Sequence, residues 1–255
     1  MATKYQENTA PNVRNGYTLR ELPLRKVGMI SGPEFMVFDG MFPRTLRDLT
    51  IRPGKVAKSY IDGNRVLYYG PVGYFFLMVT LLALYLGFID MDFTVMMKET
   101  QKAIPIEQKN QKSQEIITQF VSDNIKWVLF LGVPFQAFSA RYLFFRKSGY
   151  NFMEHIVLPF YASGHLLWST ILLFTYMKFV NTMPSLLVSI ISPLFFGFAY
   201  LTFMSNQSKV KLFFKGVGIY YGGQLLFILS FTLLAVIAVL GITLINPDLL
   251  HQLNR

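Results

Sequence analysis

The 255-residue chain contains no cysteine. That single absence excludes disulfides, thiolate zinc sites, iron–sulfur clusters and thiol nucleophiles together. Charge is scarce as well. Asp, Glu, Lys and Arg make up 15% of the residues, against about 25% in an ordinary soluble domain. Enzyme signatures are missing too. Glu154-His155 has no second His at zinc-protease spacing, Ser163-Gly164-His165 lacks the glycine framing of a nucleophile elbow, and no Gly-rich loop ends in Lys-Ser or Lys-Thr. ATPase, protease and hydrolase readings lose their usual support, and neither a catalytic residue, a cofactor nor a metal site is expected.

Hydrophobic residues are abundant instead, at 53% of the chain, and they fall in runs near 71–89, 126–145, 155–178, 183–204 and 216–245. A hydrocarbon core about 30 Å thick takes about 20 helical residues to cross, and each run is that long. The expected fold is therefore an all-α integral membrane protein. About five transmembrane helices over 71–245 follow a cytoplasmic interfacial amphipathic helix. Met1 to Arg25 has no apolar core before a small-residue cleavage site, so no removable signal peptide is expected and Pro71–Ile89 would direct insertion.

A net charge of +10 raises nucleic acid as a partner, but the basic residues lie beside apolar runs and no nucleic-acid-binding motif accompanies them. Their distribution orients the chain. Residues 1–70 hold 11 Lys and Arg, the 145–154 gap holds Arg146 and Lys147, and the 205–215 gap holds Lys209, Lys211 and Lys215. The 90–125 gap carries four lysines against six acids, and the tail after Ile245 has only Arg255. By the positive-inside rule the first three gaps are cytoplasmic and the others outside. The N-terminus is then inside, the C-terminus outside, and anionic lipid is the expected partner of the basic loops.

Residues 1–33 mix charges with Pro and Gly and read as a flexible cytoplasmic leader. Within 34–70, Asp39 and Pro43 suggest a helix start, and Phe42, Leu46 and Leu49 fall at i, i+4 and i+7, with Arg44, Arg47 and Asp48 elsewhere on the wheel. Pro53-Gly54 reads as a break, Lys55–Ile61 as a second short helix and Asp62-Gly63 as a turn. The block is expected along the membrane face. In the outward loop 90–125, a helix from Ile106 toward Lys126 carries a weak apolar stripe at Ile117, Phe120, Val121 and Ile125, and residues 246–255 form an outward tail.

Ionisable groups inside spans are costly, so each is a functional or a paired structural hypothesis. On the third run Glu154, Tyr161, His165 and Trp168 lie within about 40° of one line, and Glu154 and His165 are about 16 Å apart along it. Arg141, near the end of the second run, is close enough in depth to pair with Glu154, and that ion pair is the favoured reading; a proton or solute path is the alternative. Pro134, Pro159 and Pro193 can kink their helices. Gly218 and Gly222 form a small-xxx-small pair, a weak indication of a homo-oligomer.

The stretches Thr45-Leu46-Arg47-Asp48-Leu49, Arg52-Pro53-Gly54-Lys55-Val56, Tyr60-Ile61-Asp62-Gly63-Asn64-Arg65-Val66 and Tyr69-Gly70-Pro71, together with Tyr150-Asn151-Phe152-Met153-Glu154-His155-Ile156-Val157 and Tyr161, resemble a family of uncharacterised bacterial integral membrane proteins classified as a domain of unknown function. The resemblance covers about residues 38–170 and implies a bacterial inner-membrane location without a reaction. Many members carry an N-terminal zinc ribbon, which this cysteine-free chain lacks, and Asn64 replaces their usual Lys before Arg65. The leading functional expectation is a non-enzymatic assembly or accessory factor whose basic surface of Arg44, Arg47, Arg52, Lys55, Lys58 and Arg65 engages anionic lipid or a protein partner. A small transporter built on the third-run stripe is the alternative, and a membrane enzyme acting on a lipid-like substrate at Glu154 and His155 is a third.

Overall fold

The computed structural model describes residues 40–91, 94, 98, 111–180, 185–205 and 207–245. The 1–33 leader, Asp39, most of the 90–125 loop and the 246–255 tail lie outside them. Every regular element among the described residues is a helix.

Two short helices come first. α1 (Met41–Ile51) holds Pro43 in its first turn, where the missing N–H would have had no helical partner. The chain breaks between the two short helices as expected, at Arg52, and α2 (Pro53–Ile61) starts two residues earlier than expected, with Pro53 as its first residue, a favoured place for a fixed φ. α3 (Pro71–Phe88) also begins on a proline. α4 (Gln111–Asp123) and α5 (Ile125–Phe138) are nearly continuous, and α5 runs through Pro134 into a π-helical turn, Ser139–Phe144. Of the expected stripe, Ile117 and Phe120 on α4 are exposed, while Val121 and Ile125 are half-buried.

α6 (Phe152–Val180) and α7 (Ser185–Phe203) follow, and α8 (Lys209–Ile245) is a single helix of 37 residues. The expected separation of a basic 205–215 loop from a 216–245 span is not observed. Lys209, Lys211 and Lys215 ride on the first turns of α8, which at 1.5 Å per residue is about 55 Å long. Among the described residues four helices are long and apolar enough to cross a membrane, namely α3, α5 with its π-helical turn, α6 and the Lys209–Leu234 part of α8; α7 adds a shorter apolar stretch, Ser189–Phe203. The chain is thus compatible with a multi-pass membrane protein.

α6 is the centre of the bundle, packing against α3, α5 and α7, and α8 closes the far side against α7 and α5. Fully buried Tyr74, Phe75, Tyr161, Phe174, Phe196, Tyr200 and Phe203 make the core strongly aromatic. The outer face of α8 leaves Leu225, Ile228, Leu229, Leu233 and Leu234 exposed, an apolar surface suited to lipid. The small-residue face of α8 is already occupied within the chain. A Cβ on Gly218 would lie 2.5 Å from the Phe144 ring and one on Gly222 2.5 Å from Ser139 Oγ, so this pair serves the packing of α8 on the π-helical turn.

The hairpin α1–α2 packs on protein: α1 against α6, and α2 against α6 and α7. Leu49, Val56 and Ala57 are completely buried, and Phe42 and Leu46 pack against the same core. The closest approach is at Gly54, where a Cβ would stand 2.1 Å from the Phe203 backbone nitrogen. Its own N–H donates to Thr202 Oγ1 at 2.8 Å, so α7 satisfies one of the orphan donors of α2's first turn. Gly54→Ala is expected to destabilise by about 1–3 kcal/mol through overpacking, lowering the melting temperature in detergent, whereas Gly87→Ala, with nothing within 4 Å of the added carbon, leaves it unchanged or higher.

Candidate functional site at the basic end of the bundle

Asp48, placed by sequence among the solvated residues of α1, is only 2% exposed. Its carboxylate collects three donors: Tyr68 Oη at 2.7 Å and Arg52 Nη2 at 2.9 Å on Oδ2, and Arg47 Nε at 3.0 Å on Oδ1. Burial alone would raise this carboxyl, but the hydrogen bonds from Tyr68, Arg52 and Arg47 outweigh it and hold the group below the ordinary carboxylate range. The same contact raises the Arg52 guanidinium, while burial, and after it the bond to Asp48, raises the Tyr68 hydroxyl. One turn away, Thr45 Oγ1 accepts from Tyr69 N at 2.9 Å and donates to the Met41 carbonyl. Two of the six candidate surface cations, Arg47 and Arg52, are therefore committed to the fold. Arg44, Lys55 and Arg65 remain exposed, Arg65 lying over the Tyr60 ring at 5.5 Å.

The lower part of the α6 stripe locks onto this hairpin. Tyr161 is fully buried, and its hydroxyl donates to the Tyr69 carbonyl at 2.5 Å. His165 lies between Tyr74 Oη, 3.0 Å from Nδ1, and Thr50 Oγ1, 3.2 Å from Nε2. Because the single Thr50 hydroxyl proton goes to the Leu46 carbonyl, Nε2 is the donor to Thr50 and Nδ1 accepts from Tyr74. Both ring nitrogens are used, so the imidazole is a bridge joining α1, α3 and α6.

The expected Arg141–Glu154 ion pair is not present; among the described residues both ion pairs shown involve Asp48. Glu154 Oε2 instead accepts from Asn151 N at 2.6 Å while Asn151 Oδ1 accepts from Glu154 N at 2.8 Å. This reciprocal pair is a capping box, and Asn151-x-x-Glu154 just ahead of an apolar run was its readable signal. Arg141 Nη1 donates to the Arg146 carbonyl at 2.7 Å, where it ties down the 145–151 loop.

His155 holds the same loop. Its Nε2 is 2.9 Å from Ser148 Oγ, and its ring stacks on Phe145. A Ser–His contact suggests a nucleophile and its base, but buried Nδ1 has no hydrogen-bond partner among the described residues. The base tautomer would leave a buried N–H without an acceptor and without the third group that orients such an imidazole, so Nε2–H donating to Ser148 is the tautomer this environment favours.

Beside that loop lies a cavity of about 460 Å³, bordered by Lys58 of α2, Arg146, Lys147 and Ser148 of the loop, Ser205 and Gln207 after α7, and Lys215 of α8. Sequence reading counted Arg146, Lys147 and Lys215 for orientation only. Their convergence with Lys58 depends on tertiary packing, although all four sit in gaps assigned to one side.

Residues 39–83 of the chain are similar to a family described as a protein of unknown function, DUF3667. No curated protein and no solved structure matches the chain. The matched segment is the one that supplies Asp48, Arg52, Gly54, Tyr68 and Tyr74, the residues that dock the hairpin.

With its folded value below the unfolded value of about 4, the Asp48 carboxyl contributes stability that is complete above that pH and is lost as pH falls through the folded value. Melting temperature should stay flat with respect to this group from pH 8 to about 5 and fall below about pH 4. Asp48→Asn should melt lower at neutral pH and show a smaller acid decline, which thermal denaturation across pH measures.

Proposed function

We propose that the chain is a non-enzymatic accessory protein of a bacterial inner membrane, crossing it five times, with α7 as the fourth crossing. The end that carries the α1–α2 hairpin faces the cytoplasm, and its exposed cations engage anionic lipid and, through the same charges, an acidic partner surface. The observation that carries this reading is the clustering at one end of Arg44, Lys55 and Arg65, outside the Asp48 network, with Lys58, Arg146, Lys147 and Lys215. Cations at that position suit the positive-inside arrangement and the negative potential of a cytoplasmic leaflet.

The polar stripe offers less to a transporter. Tyr161 and His165 spend their hydrogen bonds on the hairpin and on α3.

The triple variant Arg44→Gln, Lys55→Gln, Arg65→Gln spares both arginines bonded to Asp48. At about 1 kcal/mol per basic residue near an anionic surface, it should lower the enrichment of phosphatidylglycerol among co-purified lipids about tenfold or more at low salt, with membrane insertion unchanged. Undiminished enrichment in that variant removes the proposal's support.

A further inference from the structure

Four cationic side chains from three separate parts of the chain meet at the cavity between α2, the 145–151 loop and the start of α8, and no Asp or Glu is among its described lining residues. None of the four makes an ion pair among the described residues. Like charges gathered at one concave site repel one another and raise the local concentration of anions. The walls are also held in place. Arg141 fixes the backbone at Arg146, His155 holds Ser148, and Lys215 Nζ donates to Gln207 Oε1 at 2.8 Å while lying 4.9 Å over the Phe145 ring.

The geometry points to a binding site for a phosphate-bearing anion in this cavity, with Arg146 as the planar donor and Lys58, Lys147 and Lys215 as converging point charges. A guanidinium matches two phosphate oxygens at once, and ammonium groups add charge without demanding one orientation. Ser148, Ser205 and Gln207 supply neutral hydrogen-bonding groups beside them. Phe145 and Met204 make part of the wall apolar, and Leu143 at its edge is 55% exposed on the outer surface of the bundle. That combination suits a lipid phosphate whose chains lie against the bundle, while a soluble phosphorylated compound would use the same cations. The site deepens the proposed function and rests on its assignment of this end to the anionic leaflet.

The test uses the full chain in neutral detergent, with native mass spectrometry in about 0.3 M ammonium acetate, where exposed charges are screened beyond a few ångströms. The probes are phosphatidic acid, phosphatidylcholine and inorganic pyrophosphate. One phosphatidic acid should bind at least tenfold more tightly than phosphatidylcholine. Lys58→Gln, Arg146→Gln, Lys147→Gln and Lys215→Gln together should remove that preference. The double variant Lys58→Gln, Lys147→Gln, which leaves the Arg146 anchor and the Lys215–Gln207 bond intact, should lose several-fold and keeps the test valid if the quadruple variant fails to fold. Arg44→Gln, Lys55→Gln, Arg65→Gln should keep the first binding event within about twofold. Pyrophosphate binding as tight as phosphatidic acid and lost in the cavity variants supports the site with a soluble ligand. Its absence beside phosphatidic acid binding supports a lipid headgroup. Equal losses in the cavity and surface variants overturn the built site while leaving the diffuse basic surface standing. No preference for phosphatidic acid together with no pyrophosphate binding also overturns it, and the low-salt lipid enrichment then decides the proposed function separately.

Discussion

A buried carboxylate can stay charged only where enough donors replace the water it has lost. Asp48 meets that condition with donors from three places: its neighbour Arg47, Arg52 one turn on, and Tyr68 beyond the turn that ends α2. The arrangement bends the chain back on itself between α1 and α3. With Tyr68 held, Tyr69 is placed to donate to Thr45 and to accept from Tyr161. α3 is thereby fixed relative to α6, and the hairpin to both. Gly54 then meets α7 at backbone distance. The segment similar to DUF3667 contains this assembly from Asp48 to Tyr74.

The cations divide according to what surrounds them. Arg47 and Arg52 neutralise Asp48, Arg141 supports a loop carbonyl, and Lys178 at the opposite end of the bundle donates to the Ile89 carbonyl at 3.0 Å. These are structural uses of positive charge, and each satisfies a carboxylate or carbonyl oxygen. Arg44, Lys55 and Arg65 on the hairpin and the four cavity residues, which make no ion pair among the described residues, form a second set at the hairpin end. His165 differs from that set, because both of its ring nitrogens are bonded inside the bundle, and Glu154 is engaged by the cap at the start of α6.

Runs of apolar residues and loop charges are local properties, and they made the helices α3, α5, α6 and α8 readable from sequence, together with the likeness of the three basic gaps. The short helices were also visible, with the break between them near Pro53, though the second starts at Pro53 itself and not at Lys55 because proline suits a first helical position. Asp48 was misplaced because a helical wheel separates apolar from polar residues and has no means of showing that a polar one is buried with partners 20 residues away. Glu154 was the opposite error: its role was local and spelled out by Asn151, but intramembrane charge suggested a distant partner. The cavity was not legible because its cations are separated by apolar helices in the chain and meet only after those helices pack.

The bond from Gly54 N to Thr202 Oγ1 spans 148 residues of sequence. At synthesis rates of about 5–20 residues per second, roughly 7–30 s separate the emergence of α2 from that of its partner on α7. Until α6 emerges, in the earlier part of that interval, Leu49, Val56 and Phe42 have neither α6 nor α7 to cover them. The hairpin is thus made well before the two helices that bury its apolar face, and its final position waits on chain more than a hundred residues downstream.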